Sequence, residues 1–430
     1  MNAVNLNAVS TAKPGTTYLT LLFILCFVSS ALGGTVSTLM SVYLPVVVKD
    51  LQGDLGPEQL NSVSGFINAL FIFGWAFGGF SWGLISDRIG RKSALLYAIA
   101  CYGIFTFATG LMPSWMGVVL CRFMSGFGVG GVLVVSFTLL SEVWPPKTKA
   151  VVTGIISIAF PVGIFSAGLI NFVVSSWREG FFVGAIPLIL SLIGIVVIKE
   201  SDKWLEHKEH RASGGKHSLW YSKENRSELL IGSLMFGTML IGLWAIFSWL
   251  PTWVQSLIPG DAGKERGLSM MCMGMGGLAG GFFSGWLVNF MGLKKSMLLC
   301  FAVCSVMSFV LFKLNTTFSP AIFAEIAVLA LFFGASQGVL SAYIPQLFHT
   351  GIRATATGFC FNIGRLFTGT AVLFIGVLVV SLGGYGNAIF IFSLVFVLGF
   401  IVVLTVKEKA ATVAEVPAGI AADAIIENAD

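Results

Sequence analysis

Gly83-Leu84-Ile85-Ser86-Asp87-Arg88-Ile89-Gly90-Arg91-Lys92 is a short charged turn set between two long apolar runs, residues 60–85 and 93–112. Each neighbour has about the 20 residues that a helix needs to cross a hydrocarbon core. Working outward, the same alternation of long apolar run and short polar turn fills most of the chain. The remaining runs lie near 18–48, 115–140, 148–174 and 179–199, then 229–258, 266–291, 294–313, 320–346, 352–379 and 384–406. They are continuous rather than alternating, which a membrane β-barrel would require. Apolar residues make up 56% of the 430 and charged ones only 10%, whereas soluble domains are about 25% charged. The reading is an all-α membrane protein of twelve transmembrane helices. The first run is too long for a signal peptide and is expected to stay as the first helix.

Lys and Arg set the orientation. With the amino terminus inside, eighteen fall on the cytoplasmic side, five outside, and Arg122 and Arg365 lie within spans. The bias predicts a multi-pass protein of the plasma membrane (the inner membrane in a bacterium) with both termini cytoplasmic. The net charge of +5 then reflects topology and gives no reason to expect nucleic acid. The seven cysteines all fall in apolar runs, and no histidine, nucleotide loop or metal-spaced set accompanies them. An enzyme, a cofactor or a metal is therefore not expected, and the lipid bilayer is the expected surrounding.

The chain divides in two. Residues 1–17 form a leading segment, 18–199 a first six-helix bundle, 200–228 a polar linker, 229–406 a second bundle, and 407–430 an acidic, Ala-rich tail expected to be disordered. Gly78, Gly79, Phe80 and Gly83 recur 202 residues later as Gly280, Gly281, Phe282 and Gly285, and Leu44–Pro45 recurs at Leu250–Pro251. Glu142–Gly154 overlays Gln346–Gly358 in the same order. Such repeats mark transporters whose two bundles rock about a central site. The spacings Gly74-x-x-x-Gly78, Gly79-x-x-x-Gly83, Gly277-x-x-x-Gly281 and Gly281-x-x-x-Gly285 offer faces on which helices can pack or slide.

Physically, Asp87 at a helix end beside a cation-loaded turn can pair with Arg91 or a neighbouring helix, and Glu142 closes the fourth run on the same side. Asp87, Arg88, Arg91 and Glu142 are thus candidates for a cytoplasmic gate, against the plainer reading of a topogenic basic loop. The segment Gly83–Lys92 resembles the signature loop GxxxDRxGRK of the major facilitator superfamily, with every defining position filled. Its counterpart Gly285–Gly292 carries Asn289 where the first half has Asp87. The resemblance spans residues 18–406 and implies the major facilitator fold and alternating access. Arg122-Phe-Met-Ser-Gly126-Phe-Gly128-Val-Gly130 is similar to the family's fourth-helix motif RxxxGxGxG, linked to proton coupling. Trp244–Pro251 and Pro345–Arg365 resemble the metabolite:proton symporter branch, which carries organic and sugar acids. The acidic residues of that branch's aromatic-acid members are missing from Leu32–Val36, as are the sugar porters' paired glutamines.

Ionised groups inside a membrane cost at least about 2.5–3.5 kcal/mol and tend to face cavities. Three fall well inside runs: Arg122, Glu325 and Arg365. Arg365 lies near the midplane, where its fork could hold a carboxylate; alternatively Glu325 could neutralise it, or it could cap backbone carbonyls. Arg122 is open to either a substrate or coupling role, or neither. Glu325 could relay protons if desolvated, or be an ordinary carboxylate near the interface. Asn362, Trp244, Gln337, Asn68 and Thr38 complete the candidate cavity wall, Asn362 sharing the face of Arg365. The expectation is a monomeric secondary transporter importing a small organic anion with protons. The rivals are a drug or metabolite exporter, a facilitative uniporter and a non-transporting receptor.

Overall fold

A computed structural model describes residues 15–53, 56–145, 148, 152, 155–205, 225–348 and 353–406. The leading segment 1–14, most of the linker, the tail 407–430 and the basic positions Lys147 and Lys149 lie outside the described residues, as does the side chain of Arg353.

The described residues hold twelve helices long and apolar enough to cross a membrane. They are α1 Thr16–Gln52, α2 Pro57–Ile89, α3 Arg91–Thr109, α4 Trp115–Val143, α5 Ile155–Val173 and α6 Trp177–Val197. The second six are α7 Arg226–Ser256, α8 Gly263–Met291, α9 Leu293–Leu314, α10 Ala321–Leu347, α11 Ala356–Leu378 and α12 Tyr385–Thr405. Several run past the expected apolar stretches, α1 through Lys49–Gln52 and α2 from Pro57 to Ile89. Hydropathy registers only the hydrocarbon core, whereas a helix satisfies its own backbone and continues through the headgroup layer. The inner prolines Pro45 and Pro251 sit in α1 and α7 without ending either helix. The turn after α2 needs Gly90 at φ 102°, and the matching turn after α8 needs Gly292 at φ 82°, conformations that a side chain would strain.

Within each half the same pair of helices interlocks. A Cβ on Gly74 or Gly78 of α2 would run into the backbone of Phe123 or Phe127 on α4, and Gly126 and Gly130 return the contact against Phe71 and Trp75. In the second half Gly276 and Gly280 of α8 press on Ala327 and Leu331 of α10, while Gly334 meets Gly277. Gly276, Gly277 and Gly280 together are therefore the packing face of α8 on α10. Gly281 approaches Ile158 of α5, in the other bundle, and Gly285 has nothing within 4 Å. The sixth helix of each half is tied down alike. Lys92 Nζ donates to Ile195 O of α6 at 2.8 Å, and Lys294 Nζ to Val406 O, just past α12, at 2.6 Å.

The two bundles meet along α2–α11 and α5–α8, with α1 against α7. On the side away from the start of α1 and the end of α12 this seam is tight: a Cβ on Gly376 would lie 2.6 Å from Asn61 O, and one on Gly168 2.7 Å from Met271 N. Asn68 Nδ2 donates to Ser248 O at 3.1 Å, and the Tyr385 hydroxyl bonds Asn61 Oδ1, both across the seam. Toward the face where α1 starts and α12 ends, Gly83 of α2 and Gly358 of α11 have nothing within 4 Å.

Candidate functional site

The centre of the seam is aromatic. The Trp75 ring of α2 stacks on Phe160 of α5 at 5.5 Å and meets Trp244 of α7 edge-on at 5.4 Å. Trp244 continues to Phe247, and Phe247 to Phe333 of α10. Both bundles thus contribute to one aromatic wall, with rings at the mutual angles that their quadrupoles favour.

Arg365 of α11 lies on this wall, its guanidinium carbon 4.9 Å from the centre of the Trp75 ring. It is half-buried. Nη1 donates to Phe361 O at 3.1 Å and to Asn362 Oδ1 at 3.0 Å, whereas Nε is buried with no partner. Among the described residues no carboxylate pairs with it. Its helix supplies two neutral acceptors, far fewer than the five donors of the fork can use. An unneutralised guanidinium at this depth is costly to keep, and the unused donors are where an anion would recover that cost.

Arg122 also leaves its Nε buried without a partner, but both of its Nη groups are engaged by another helix. It is 1% exposed, with Nη1 donating to Val36 O at 2.8 Å and Nη2 to Ser37 O at 3.3 Å, both on α1. Its guanidinium lies 4.0 Å from the Phe71 ring centre. These contacts pin α4 to the middle of α1, the carbonyl-capping arrangement that sequence left open for Arg365. Glu325 is held near the start of α10 by Asn315 Nδ2 at 2.7 Å, and no described contact brings it to Arg122 or Arg365. Thr38 Oγ1 bonds back to Gly34 O of its own helix, and Asn68 serves the seam. Gln337 is half-buried, its Nε2 without a partner, and no described contact joins it to the Arg365 group. Trp244 and Asn362 do belong to that group.

The charged turn folds as a compact cluster. Arg91 Nη1 binds Asp87 Oδ1 at 2.6 Å and Nε binds Glu142 Oε1 at 3.2 Å. Arg88 is exposed and makes no described contact with the cluster. Sequence missed Glu200, whose Oε1 accepts from the backbone N–H of Arg91 at 2.7 Å and of Lys92 at 3.2 Å. It thereby caps the start of α3, where orphan N–H groups and the helix dipole favour a carboxylate. Trp204 Nε1 donates to Asp87 O at 3.0 Å, so the residues just after α6 close over the turn. Glu200 was hidden in the polar run that opens the linker. Trp75 and Phe160 were hidden among many aromatics on apolar faces, since one sequence does not say which of them face the other bundle.

Comparison with known proteins agrees with this architecture. The model of the Major Facilitator Superfamily matches residues 19–366. The chain is 28% identical over 322 residues to the putative niacin/nicotinamide transporter NiaP of Bacillus subtilis, covering 74% of this chain and 78% of that one. It is 25% identical to the cis,cis-muconate transport protein of Acinetobacter baylyi, covering 80% and 86%. The crystal structure of a D-xylose-proton symporter superposes with a TM-score of 0.73 at 17% identity, over 90% of this chain and 98% of that one. A helical pair of bundles, an aromatic seam and a charged turn between α2 and α3 come together in one conclusion: the chain is a multi-pass membrane transporter, not an enzyme, and belongs to the Major Facilitator Superfamily.

Proposed function

We propose that the transporter carries a small organic anion, a carboxylate or sugar acid, by alternating access, with Arg365 as the group that receives the carboxylate. The observation that carries this reading is the Arg365 guanidinium, half-buried at the seam on Trp75 with Nε unpartnered and no described acid beside it. Relatives named for niacin/nicotinamide and for cis,cis-muconate support it, since niacin and muconate are carboxylates while nicotinamide is the neutral amide. The basic face, where α1 starts and α12 ends, is cytoplasmic in this reading. The seam would then be open inward and sealed outward by the α2–α11 and α5–α8 approaches. Import and coupling to protons rest on the resemblance of Trp244–Pro251 and Pro345–Arg365 to the symporter branch and of Arg122–Gly130 to the superfamily's fourth-helix motif, and the unit is a monomer. In the proposed cycle the Asp87–Arg91–Glu142 cluster with Glu200 holds the inner end of the first bundle rigid while that bundle rocks.

The test is uptake of labelled nicotinate and cis,cis-muconate into proteoliposomes under an imposed pH gradient, with and without a protonophore. A two-pronged charge-assisted contact contributes about 3 kcal/mol, so Arg365→Ala weakens anion binding roughly a hundredfold. Arg365→Lys, which keeps the charge and loses the fork, recovers only part of it. Wild-type affinity for either acid retained in Arg365→Ala refutes the anion site. Uptake indifferent to the protonophore refutes proton coupling alone.

A further inference from the structure

Both polar atoms of Asn362 are already engaged within its own helix. Its Nδ2 donates to Gly358 O at 2.9 Å, its Oδ1 accepts from Arg365 Nη1 at 3.0 Å, and the side chain is buried. What lies against it from the other bundle is a bare glycine. A Cβ built on Gly79 of α2 would press on Asn362 Oδ1, with Cγ at 3.1 Å and Nδ2 at 3.4 Å. Those three atoms are its nearest neighbours, so a side chain at residue 79 would first displace one flexible amide rather than backbone. One turn earlier on the same helix, Trp75 supports the guanidinium from below.

We propose that Asn362 is a positioning residue for Arg365, and that the bare face of Gly79 holds it in place across the seam. The arginine of α11 is therefore aimed by two residues of α2, Trp75 under its plane and Gly79 through Asn362. Because α2 and α11 belong to different bundles, rocking at this level changes both supports together. Anion affinity then follows the access state without any contact between α2 and the anion's carboxylate. This rests on the reading that Arg365 receives the anion.

The experiment is a double-mutant cycle on purified, ligand-free protein. Modification of Arg365 by phenylglyoxal is timed by mass spectrometry of its peptide in wild type, Gly79→Ala, Asn362→Ala and the double variant. Each single change releases Nη1 and speeds modification several-fold, and the double variant is no faster than Asn362→Ala, because the amide through which the new Cβ acts is then gone. An unchanged rate in Gly79→Ala, or single effects that multiply in the double variant, overturns the proposal. All variants are first required to elute as wild type on size exclusion. In transport, Asn362→Ala raises the KM for nicotinate or cis,cis-muconate about tenfold, the loss of one hydrogen bond to a charged group, with little change in Vmax. Gly79→Ala raises KM in the wild-type background only. A KM unaffected by Arg365→Ala removes the anion reading, while the modification rates still decide whether Asn362 positions Arg365.

Discussion

The two glycine faces of α2 should respond in opposite directions to one added methyl group. At Gly78 an alanine Cβ would lie 2.8 Å from the carbonyl carbon of Phe127 and 2.9 Å from its Cα, and nearer still to the oxygen. Ordinary contact begins near 3.4 Å, so α4 must retreat by roughly half an ångström or more at that turn. The retreat also loosens Gly126 and Gly130 on Phe71 and Trp75. Close backbone approach is a main source of helix association in lipid, and overpacking costs about 1–3 kcal/mol. Alanine's advantage over glycine in a helix offsets about 1 kcal/mol of that. Gly78→Ala is thus expected to lose up to about 2 kcal/mol. At Gly83, five residues on, nothing lies within 4 Å, so Gly83→Ala keeps the gain and loses nothing in this state. The assay is the fraction of purified protein that stays monodisperse on size exclusion after heating. Gly78→Ala should melt a few degrees below wild type and Gly83→Ala at or above it, with Gly280→Ala and Gly285→Ala repeating the order in the second half. A fall in Gly83→Ala as large as that in Gly78→Ala would show that the two faces do not differ, and the account of locked and open glycines would fail.

Arg91→Ala leaves Glu142, 17% exposed, without its cation, and is expected to destabilise by about 1–3 kcal/mol in the same melting assay. Glu200→Gln keeps the shape of the α3 cap and loses its charge; a drop of about 1 kcal/mol is expected, and none would remove the capping role. Arg122→Met exchanges a buried cation for an apolar chain of similar length, so stability should hold or rise by about 1 kcal/mol. Uptake by that variant shows whether the pin on α1 matters to transport. Glu325→Gln should keep uptake within about twofold of wild type if the Asn315 contact is all that the carboxylate does; abolished proton-driven uptake would restore it as a relay.

Sequence alone settled the span count and the repeat, because lipid demands long apolar runs and an offset of about 202 residues is visible in glycines that have no other reason to recur. The charged turn was legible for a similar reason: polar residues are scarce, and Asp87, Arg91 and Glu142 fall on one side of the membrane. The centre was legible only in part. Arg365 stood out by its depth, but Arg122 stood out equally, and only geometry shows that α1 backbone already occupies its Nη groups. Glu325 stood out as a carboxylate inside an apolar run, and only geometry shows that Asn315 holds it, with no described contact to Arg122 or Arg365. Trp75 and Glu200 were not legible, since their roles depend on which helices become neighbours across the fold.

The Lys92 and Lys294 clasps bear on the order of events during synthesis. Each lysine opens the third helix of its half, yet its acceptors lie at the end of the sixth. Tyr18, near the start of α1, likewise waits for the backbone of Lys199. The first bundle therefore completes its closing contacts only when its last helix leaves the ribosome, and it needs nothing from the second half to do so. A chain arrested after Lys199 would already carry every partner of the Lys92 clasp, whereas one arrested after α11 would hold a finished first bundle beside an open second one.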